Sequence, residues 1–307
     1  KLLGGRFMKL GFIGLGQMGK YCALNLLKNR GELHVNDIDP EAVAFLISHG
    51  AKKSDSNAEL MSVCDIVFLC LPNGDIVEKV IFGEHGLAEG FEKGKIIVDL
   101  TTADYQKTRE TALRVEALGV NFIDAPLSGM EARAKTGQLS VMCGGKKNVF
   151  DVVSTYLDDI GSSVLFLGEY GSGQLAKMIN NVLYNINMAA LAEILPFAVK
   201  MGLAPEKVGT LVNAGTGRSY ASEYFIPKIL ERDFVYGFTM DSAYKDMQSA
   251  SVISAKMKIP TPVLHAAMTT YQMTLLEGWG QEYKGAMIKV YEKLLGVKFS
   301  KNVEMIS

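Results

Sequence analysis

An α/β domain built on a doubly wound parallel sheet, followed by an all-α domain, is the fold class that this 307-residue sequence predicts. Three observations predict it. A glycine-rich turn, Gly14-Leu15-Gly16-Gln17-Met18-Gly19, joins an apolar run to a helical segment near the start of the chain. Short, apolar runs then alternate with amphipathic segments as far as Gly168, as parallel strands alternate with the helices that connect them. Beyond Gly168 the apolar period is helical and stays so.

The first strand is KLGFIG, Lys9–Gly14, and the helical segment after the glycines ends near Gly31. LHVND, Leu33–Asp37, reads as the second strand. Together they make a βαβ unit of about 30 residues. The G-x-G-x-x-G pattern alone is weak, but here it follows a strand, opens a helix and precedes an acid at the end of the next strand. Gly14 permits the tight turn, Gly16 lets the backbone approach a pyrophosphate, and Gly19 allows close helix–strand packing. The helix N-terminus offers unpaired N–H groups and a positive dipole end to phosphates. Asp37 stands 18 residues after Gly19, near the spacing of about 20 expected for the acid that accepts the ribose hydroxyls. That carboxylate would repel a 2′-phosphate, and Ile38 supplies no arginine to receive one. The expected cofactor is therefore NAD rather than NADP, bound by a Rossmann-type domain.

Strand and helix continue to alternate. DIVFLCLP (65–72) and KIIVDLTT (95–102) have the apolar middles of buried parallel strands, with the helical GDIVEKVIF between them. An amphipathic helix closing at Gly119, a strand at NFIDAP, and strands at 139–145 and 163–168 around a helix near 148–159 complete the domain. Six helical segments are expected afterwards, near 173–201, 205–214, 221–231, 240–257, 262–277 and 283–295. The expected domains are 8–168 for the nucleotide and 169–307 all helical, with an active site in the cleft between them. The residues before Met8 read as a misread leader or an extraneous segment and are set outside the fold.

Composition narrows the function classes. A net charge of −1 argues against nucleic acid or an anionic membrane as partner. No apolar run reaches the length of about 18 residues that a membrane span needs. Cys22, Cys64, Cys70 and Cys143 form no C-x-x-C pair, and His34, His49, His85 and His265 are scattered. Reduced thiols, a cytoplasmic location and no metal site are the expectation.

The helical segment GQLAKMINNVLYNINMAALAEI (173–194) is apolar on most faces, yet carries Lys177, Asn180 and Asn181 in its first turns. Lys177 and Asn181 are four apart and share a face. A buried lysine is costly unless it has a partner or a task. Burial lowers a lysine's pKa, which suits general acid–base work. The alternative is a snorkelling lysine with capping amides.

Four stretches together resemble the β-hydroxyacid dehydrogenases, the group that includes 3-hydroxyisobutyrate dehydrogenase, tartronate semialdehyde reductase and relatives of 6-phosphogluconate dehydrogenase. They are GFIGLGQMG, DAPLSGMEARAKTGQLSVMCGG, GQLAKMINN and YKDMQSA, spread in order from Gly11 to Ala250. LPNGDIV and IFGEHG add a local likeness to sulfolactaldehyde reductases. The resemblance implies that Lys177 is the acid/base and that Asn181 holds the substrate. It implies that Ser128 and Gly129 bind the substrate carboxylate and that Lys245 lies by the cofactor. Leu71, Pro72 and Thr102 match positions that touch the nicotinamide half. A homodimer or homotetramer is also implied, as is a small hydroxy acid or semialdehyde as substrate.

The chain departs from that pattern in the loop after Ser128-Gly129, where Met130 replaces a glycine and Arg133 stands where a small residue is common. Arg133 would reach a second anionic group on the substrate, or else form a surface or intersubunit ion pair with Glu131 or another acid. Arg218 and Ser219 lie between helices and could line the cleft, while Tyr220, Tyr224, the methionines and Trp279 read as packing residues. The rival readings are a semialdehyde reductase working mainly in the reducing direction, an oxidative decarboxylase, which usually has a much longer helical domain, and a non-catalytic dinucleotide-binding protein.

Overall fold

The alternation of apolar runs with amphipathic segments is realised as nine strands and their connecting helices among residues 8–177 of the computed structural model, which describes residues 8–235 and 238–301. The residues before Met8 lie outside the described ones. By internal contacts the chain divides into two units, one ending at Lys177 and the other beginning at Met178.

The first unit runs β1 (Leu10–Ile13), α1 (Gly19–Arg30), β2 (His34–Asn36), α2 (Pro40–Ser48), β3 (Lys52–Lys53), α3 (Asn57–Val63), β4 (Ile66–Leu69), α4 (Gly74–Phe82), β5 (Ile96–Asp99), α5 (Tyr105–Ala117) and β6 (Asn121–Asp124). It continues with β7 (Leu127–Ser128), α6 (Met130–Lys135), β8 (Leu139–Gly145), α7 (Lys147–Leu157) and β9 (Gly161–Gly168). The sheet order is β3-β2-β1-β4-β5-β6-β8-β7, with β9 beside β8. The first six strands pair in parallel and β8 reverses direction against β6. Strand order therefore turns between β1 and β4, where open α/β sheets bind ligands beyond their carboxyl ends.

Every residue of β1, β4 and β5 is buried, because helices cover both faces of the sheet. Alternate residues point opposite ways. Phe12, Phe68, Val98 and Ile123 join one core with α1, and Ile13, Val67, Leu69, Ile97 and Phe122 join another. Helix starts are set by side chains that accept a backbone N–H: Asp39, Ser56, Asn73 and Asp104 do so for α2, α3, α4 and α5.

Several elements are not visible in the apolar pattern. The strand β3 is two exposed lysines, and α3 and α6 have seven and six residues, too short to display a period. The segment Met130–Lys135, expected as a loop, is the helix α6. It begins with Gly129 at φ 139° and Met130 at φ 63°, a left-handed conformation uncommon for a residue with a side chain.

The helix α8 (Ser172–Lys200) starts in the first unit and continues into the second. The second unit adds α9 (Pro205–Ala214), α10 (Tyr220–Leu230), α11 (Met240–Met257), α12 (Pro262–Leu276) and α13 (Ile288–Leu295). The last expected helix is in fact a 3-10 turn at Lys284–Met287 followed by α13. The core of this unit gathers Met188, Phe225, Met240, Met247, Tyr271 and Met287, all fully buried, so these methionines do pack inside. Tyr220 stacks on Tyr224 at 6.1 Å between ring centres. Ser219 caps α10 in a reciprocal pair with Ser222, Arg218 lies 3.6 Å from Glu223, and Lys289 stands over Trp279.

One sequence expectation needs correction. The helix α8 is long and apolar enough to cross a membrane, with an 18-residue window of mean hydropathy 1.5, of which 33% is buried. Its few polar residues dilute the run without bringing its average below that of a span.

Candidate active site

The glycine turn begins where β1 ends. Gly14 has φ 93° and its carbonyl lies so close to Gly19 that a Cβ there would stand 1.8 Å from it. A Cβ on Gly14 would meet the carbonyl oxygen of Cys70 at 2.2 Å and the Leu71 side chain at 3.0 Å. Gly14 and Gly19 are thus required by the chain's own packing. Gly16 is different: a Cβ there would meet nothing within 4 Å. That open, exposed backbone is where a pyrophosphate could approach, so the turn fits a dinucleotide.

Asp37 follows β2 and is partly buried. One carboxylate oxygen accepts the N–H of Leu15 at 2.5 Å and the other the N–H of Asp39 at 2.8 Å. It therefore ties the glycine turn to the end of β2, and each oxygen keeps a lone pair for a ligand hydroxyl. Gln17 is exposed and donates from Nε2 to Glu131 at 2.8 Å, which brings α6 to the turn. Leu15 is buried, and Met18 packs partly against the core.

Leu71 and Pro72 leave β4 at the carboxyl end, beside Gly14. The Leu71 N–H donates to Thr101 Oγ1 at 3.0 Å. Thr101 is buried and its neighbour Thr102 is exposed. Ser128, on β7 opposite Ser140, and Gly129 are partly buried. Arg133 is exposed, its stem against Gly129. Its expected pairing with Glu131 is not formed: Glu131 instead pairs with Lys135 at 2.7 Å, and among the described residues no ion pair of Arg133 is seen. The spacing of α6 explains this, since Lys135 lies four residues from Glu131 and so one turn away on the same face. That lysine, with Gln17, holds the Glu131 carboxyl down to about 2.

Lys177 is partly buried in the second turn of α8. The start of that helix rests on Asp124, whose strand neighbour is a second acid, Asp99, and sequence reasoning left both aside. Asp99 and Asp124 end β5 and β6 and are register partners. Both are buried, at 1% and 0% exposure. Burial pushes the Asp99 carboxyl up to about 7, against hydrogen bonds from Thr101 that favour its charged form. Burial also raises Asp124, opposed by backbone N–H groups of Gly171, Gln174 and Gly173. The cysteines are unpaired, and burial pushes Cys64, Cys70 and Cys143 up to about 12, so they remain thiols.

In the second unit, Asn181 donates from Nδ2 to Asp246 at 2.9 Å. Asp246 follows the exposed Lys245 on α11, and its bond to Asn181 was not anticipated from sequence. The K-D pair was the available signal, but only the folded packing of α11 on α8 names the partner. One turn further along α8, buried Asn185 donates to the Ala243 carbonyl at 3.1 Å and accepts from Lys284 Nζ at 2.8 Å. Lys284 also lies 3.9 Å from the Tyr184 ring centre. Asn181 and Asn185 are thus structural ties as well as polar groups on one stripe with Lys177.

Comparisons with known proteins accord with this arrangement. Residues 9–168 match the family model described as the NAD binding domain of 6-phosphogluconate dehydrogenase. Residues 171–291 match the one described as NAD-binding of NADP-dependent 3-hydroxyisobutyrate dehydrogenase. The chain is 36% identical to 2-(hydroxymethyl)glutarate dehydrogenase of Eubacterium barkeri, over 95% of this chain and 98% of that protein. It is 32% identical to 2-hydroxy-3-oxopropionate reductase of Escherichia coli, over 95% and 100%. The crystal structure of a 3-hydroxyisobutyrate dehydrogenase from Salmonella typhimurium superposes with a TM-score of 0.81 at 26% identity, covering 92% of this chain and 100% of that one.

Proposed function

Because this chain belongs to the β-hydroxyacid dehydrogenase family and is a hydroxy-acid oxidoreductase with a nicotinamide dinucleotide cofactor, we propose that its cofactor is NAD and that Lys177 is its proton-transfer group. The observation that carries the reading is the pairing of an open glycine turn at the sheet's switch point with a partly buried lysine in the second turn of α8. When bound, NAD supplies the acceptor for the hydride that leaves the carbinol carbon.

The chain's own residues do the rest. N–H groups of the turn at Gly16, Gln17 and Met18 face the pyrophosphate, since those of Gly14 and Leu15 are held by the Asn36 carbonyl and Asp37, and the lone pairs left on Asp37 accept the ribose hydroxyls. Leu71, Pro72 and Thr102 line the nicotinamide half. Ser128 and the Gly129 backbone hold the substrate carboxylate, and Asn181 hydrogen-bonds the reacting hydroxyl. Lys177 in its neutral form takes the hydroxyl proton as that carbon is oxidised, and in reverse its ammonium returns the proton to the forming alkoxide. The carboxylate of Asp37 opposes a 2′-phosphate by like charge, which supports NAD over NADP.

The same residues serve reduction of a semialdehyde, and the similarity to a 2-hydroxy-3-oxopropionate reductase supports that direction as the alternative. The exposed Arg133, beside Gly129 and without the expected Glu131 partner, supports a substrate with a second anionic group. The relative named for hydroxymethylglutarate, a dicarboxylate, supports it too.

The test is Lys177→Ala assayed on a panel of mono- and dianionic hydroxy acids and their aldehydes. We expect turnover to fall at least about 1,000-fold, the upper part of the range for losing a general acid–base, with NAD affinity kept. Near-normal kcat in the folded variant would remove the assignment, and equal kcat/KM for mono- and dianionic substrates in the unmodified protein would remove the second anion.

A further inference from the structure

We propose that Asp124 is a positioning residue for proton transfer: its carboxylate seats the first turn of α8 and so sets where Lys177 stands. The inference rests on the reading of Lys177 as the proton-transfer group.

The seat is built from both ends. Asp124 ends β6, fully buried. One oxygen accepts the N–H of Gly171 at 2.7 Å, and the other accepts the N–H of Gln174 at 3.2 Å. These are among the unpaired donors at a helix start that require an acceptor when buried. The fit is close. A Cβ on Gly144 would stand 2.7 Å from one carboxylate oxygen, and a Cβ on Gly173 would stand 2.8 Å from the other. The two glycines therefore leave room for a carboxylate and little else.

A second grip acts on the same turn. Gln174, 2% exposed, accepts the Ala103 N–H at 3.0 Å and donates to the Thr101 carbonyl at 2.7 Å. Thr101 in turn donates its N–H to Asp99 and receives the Leu71 N–H on its hydroxyl. One continuous set of hydrogen bonds thus runs from the strand end beside the glycine turn to the start of α8. Lys177 lies three residues after Gln174, so it stands one turn above the seat on the same side. Nothing in this set donates or accepts the reacting proton. Its contribution is to fix the base of the helix from which Lys177 projects, and misplacement of a reacting group by about 1 Å can cost about 100-fold in rate.

The experiment compares Asp124→Asn and Asp124→Ala with the unmodified chain and with Lys177→Ala. Rates are normalised to NAD-binding sites counted by titration. Asparagine keeps the size and one acceptor but turns an N–H toward a backbone donor, so it should retain part of the function. Expected are a fall in kcat of about 10-fold for Asp124→Asn and about 100-fold for Asp124→Ala, with substrate KM and NAD Kd within about threefold. The deuterium isotope effect on kcat, with substrate labelled at the carbinol carbon, should be larger than in the unmodified chain because the chemical step now limits. A purely structural role would lower the number of NAD-binding sites and leave normalised kcat and the isotope effect unchanged, which would overturn the proposal. If both variants fail to fold, Gln174→Met removes the second grip, and the same loss of normalised kcat is expected from it; a normal value overturns the proposal. Lys177→Ala with normal turnover overturns the reading beneath and this inference with it. An inactive Lys177→Ala beside fully active Asp124 variants overturns the positioning role alone.

Discussion

Asp99 shows at the scale of one residue how burial becomes a pH dependence. Its carboxyl titrates near 7 in the fold, against about 3.9 for an unperturbed aspartate. Between those values the folded chain holds a proton that the unfolded chain has released. Stability falls as pH rises wherever the native state binds more protons, so Asp99 lowers stability progressively from about pH 4 to about pH 7 and above that costs its full amount. Asp99→Asn keeps an oxygen for the Thr101 N–H and carries no titrating group. The difference in Tm between the variant and the unmodified chain should therefore widen in the variant's favour from pH 5 to pH 8, read by thermal melts at matched ionic strength. A constant difference would show that Asp99 does not titrate in this window. Asp37 shows the converse lesson. Its spacing alone marked it as a candidate ribose ligand, and the structure gives it work within the chain, holding the N–H of Leu15 and of Asp39.

Among the elements, the glycine turn divides into residues that the fold needs and one, Gly16, that the fold leaves open. Gly19→Ala would drive a methyl into the Gly14 carbonyl, 1.8 Å away. Overpacking of this kind costs about 1–3 kcal/mol, so Tm should drop and NAD binding weaken together. Gly16→Ala meets open space, so its Tm should stay within about 1 °C in the absence of cofactor, since surface changes are usually within about 0.5 kcal/mol. Its NAD Kd should still rise about 10-fold by calorimetry, because the methyl occupies the approach to the pyrophosphate. Equal NAD affinity in Gly16→Ala would deny that approach. The strands β1, β4 and β5 were readable as elements because each apolar run is buried on both faces of the sheet. The helices α3 and α6 were not, since seven or six residues complete at most two turns and a period needs more than that to show.

For the whole molecule, cofactor binding should appear as added stability, because a ligand held only by the folded chain shifts unfolding by mass action. At 100 times its Kd the gain is about 2.7 kcal/mol, and for units of this size each kcal/mol is worth about 2–4 °C. NAD at that concentration should raise Tm by about 5–10 °C, and NADP at the same concentration by less. An equal or larger shift with NADP would reverse the cofactor preference argued from Asp37. The alternating domain, the glycine turn with its acid, the helical remainder and the family all follow from the sequence by itself. The first three depend on local periodicity and on short spacings that neighbouring residues carry among themselves, and the family on the likeness of four stretches between Gly11 and Ala250. What the tertiary structure decided is which polar groups meet: Asp124 with N–H groups 47 and 50 residues away, Asn181 with Asp246 at 65, Asn185 with Lys284 at 99. A buried polar atom takes whichever partner the packed chain brings within about 3 Å, and nothing in the adjoining sequence encodes that choice.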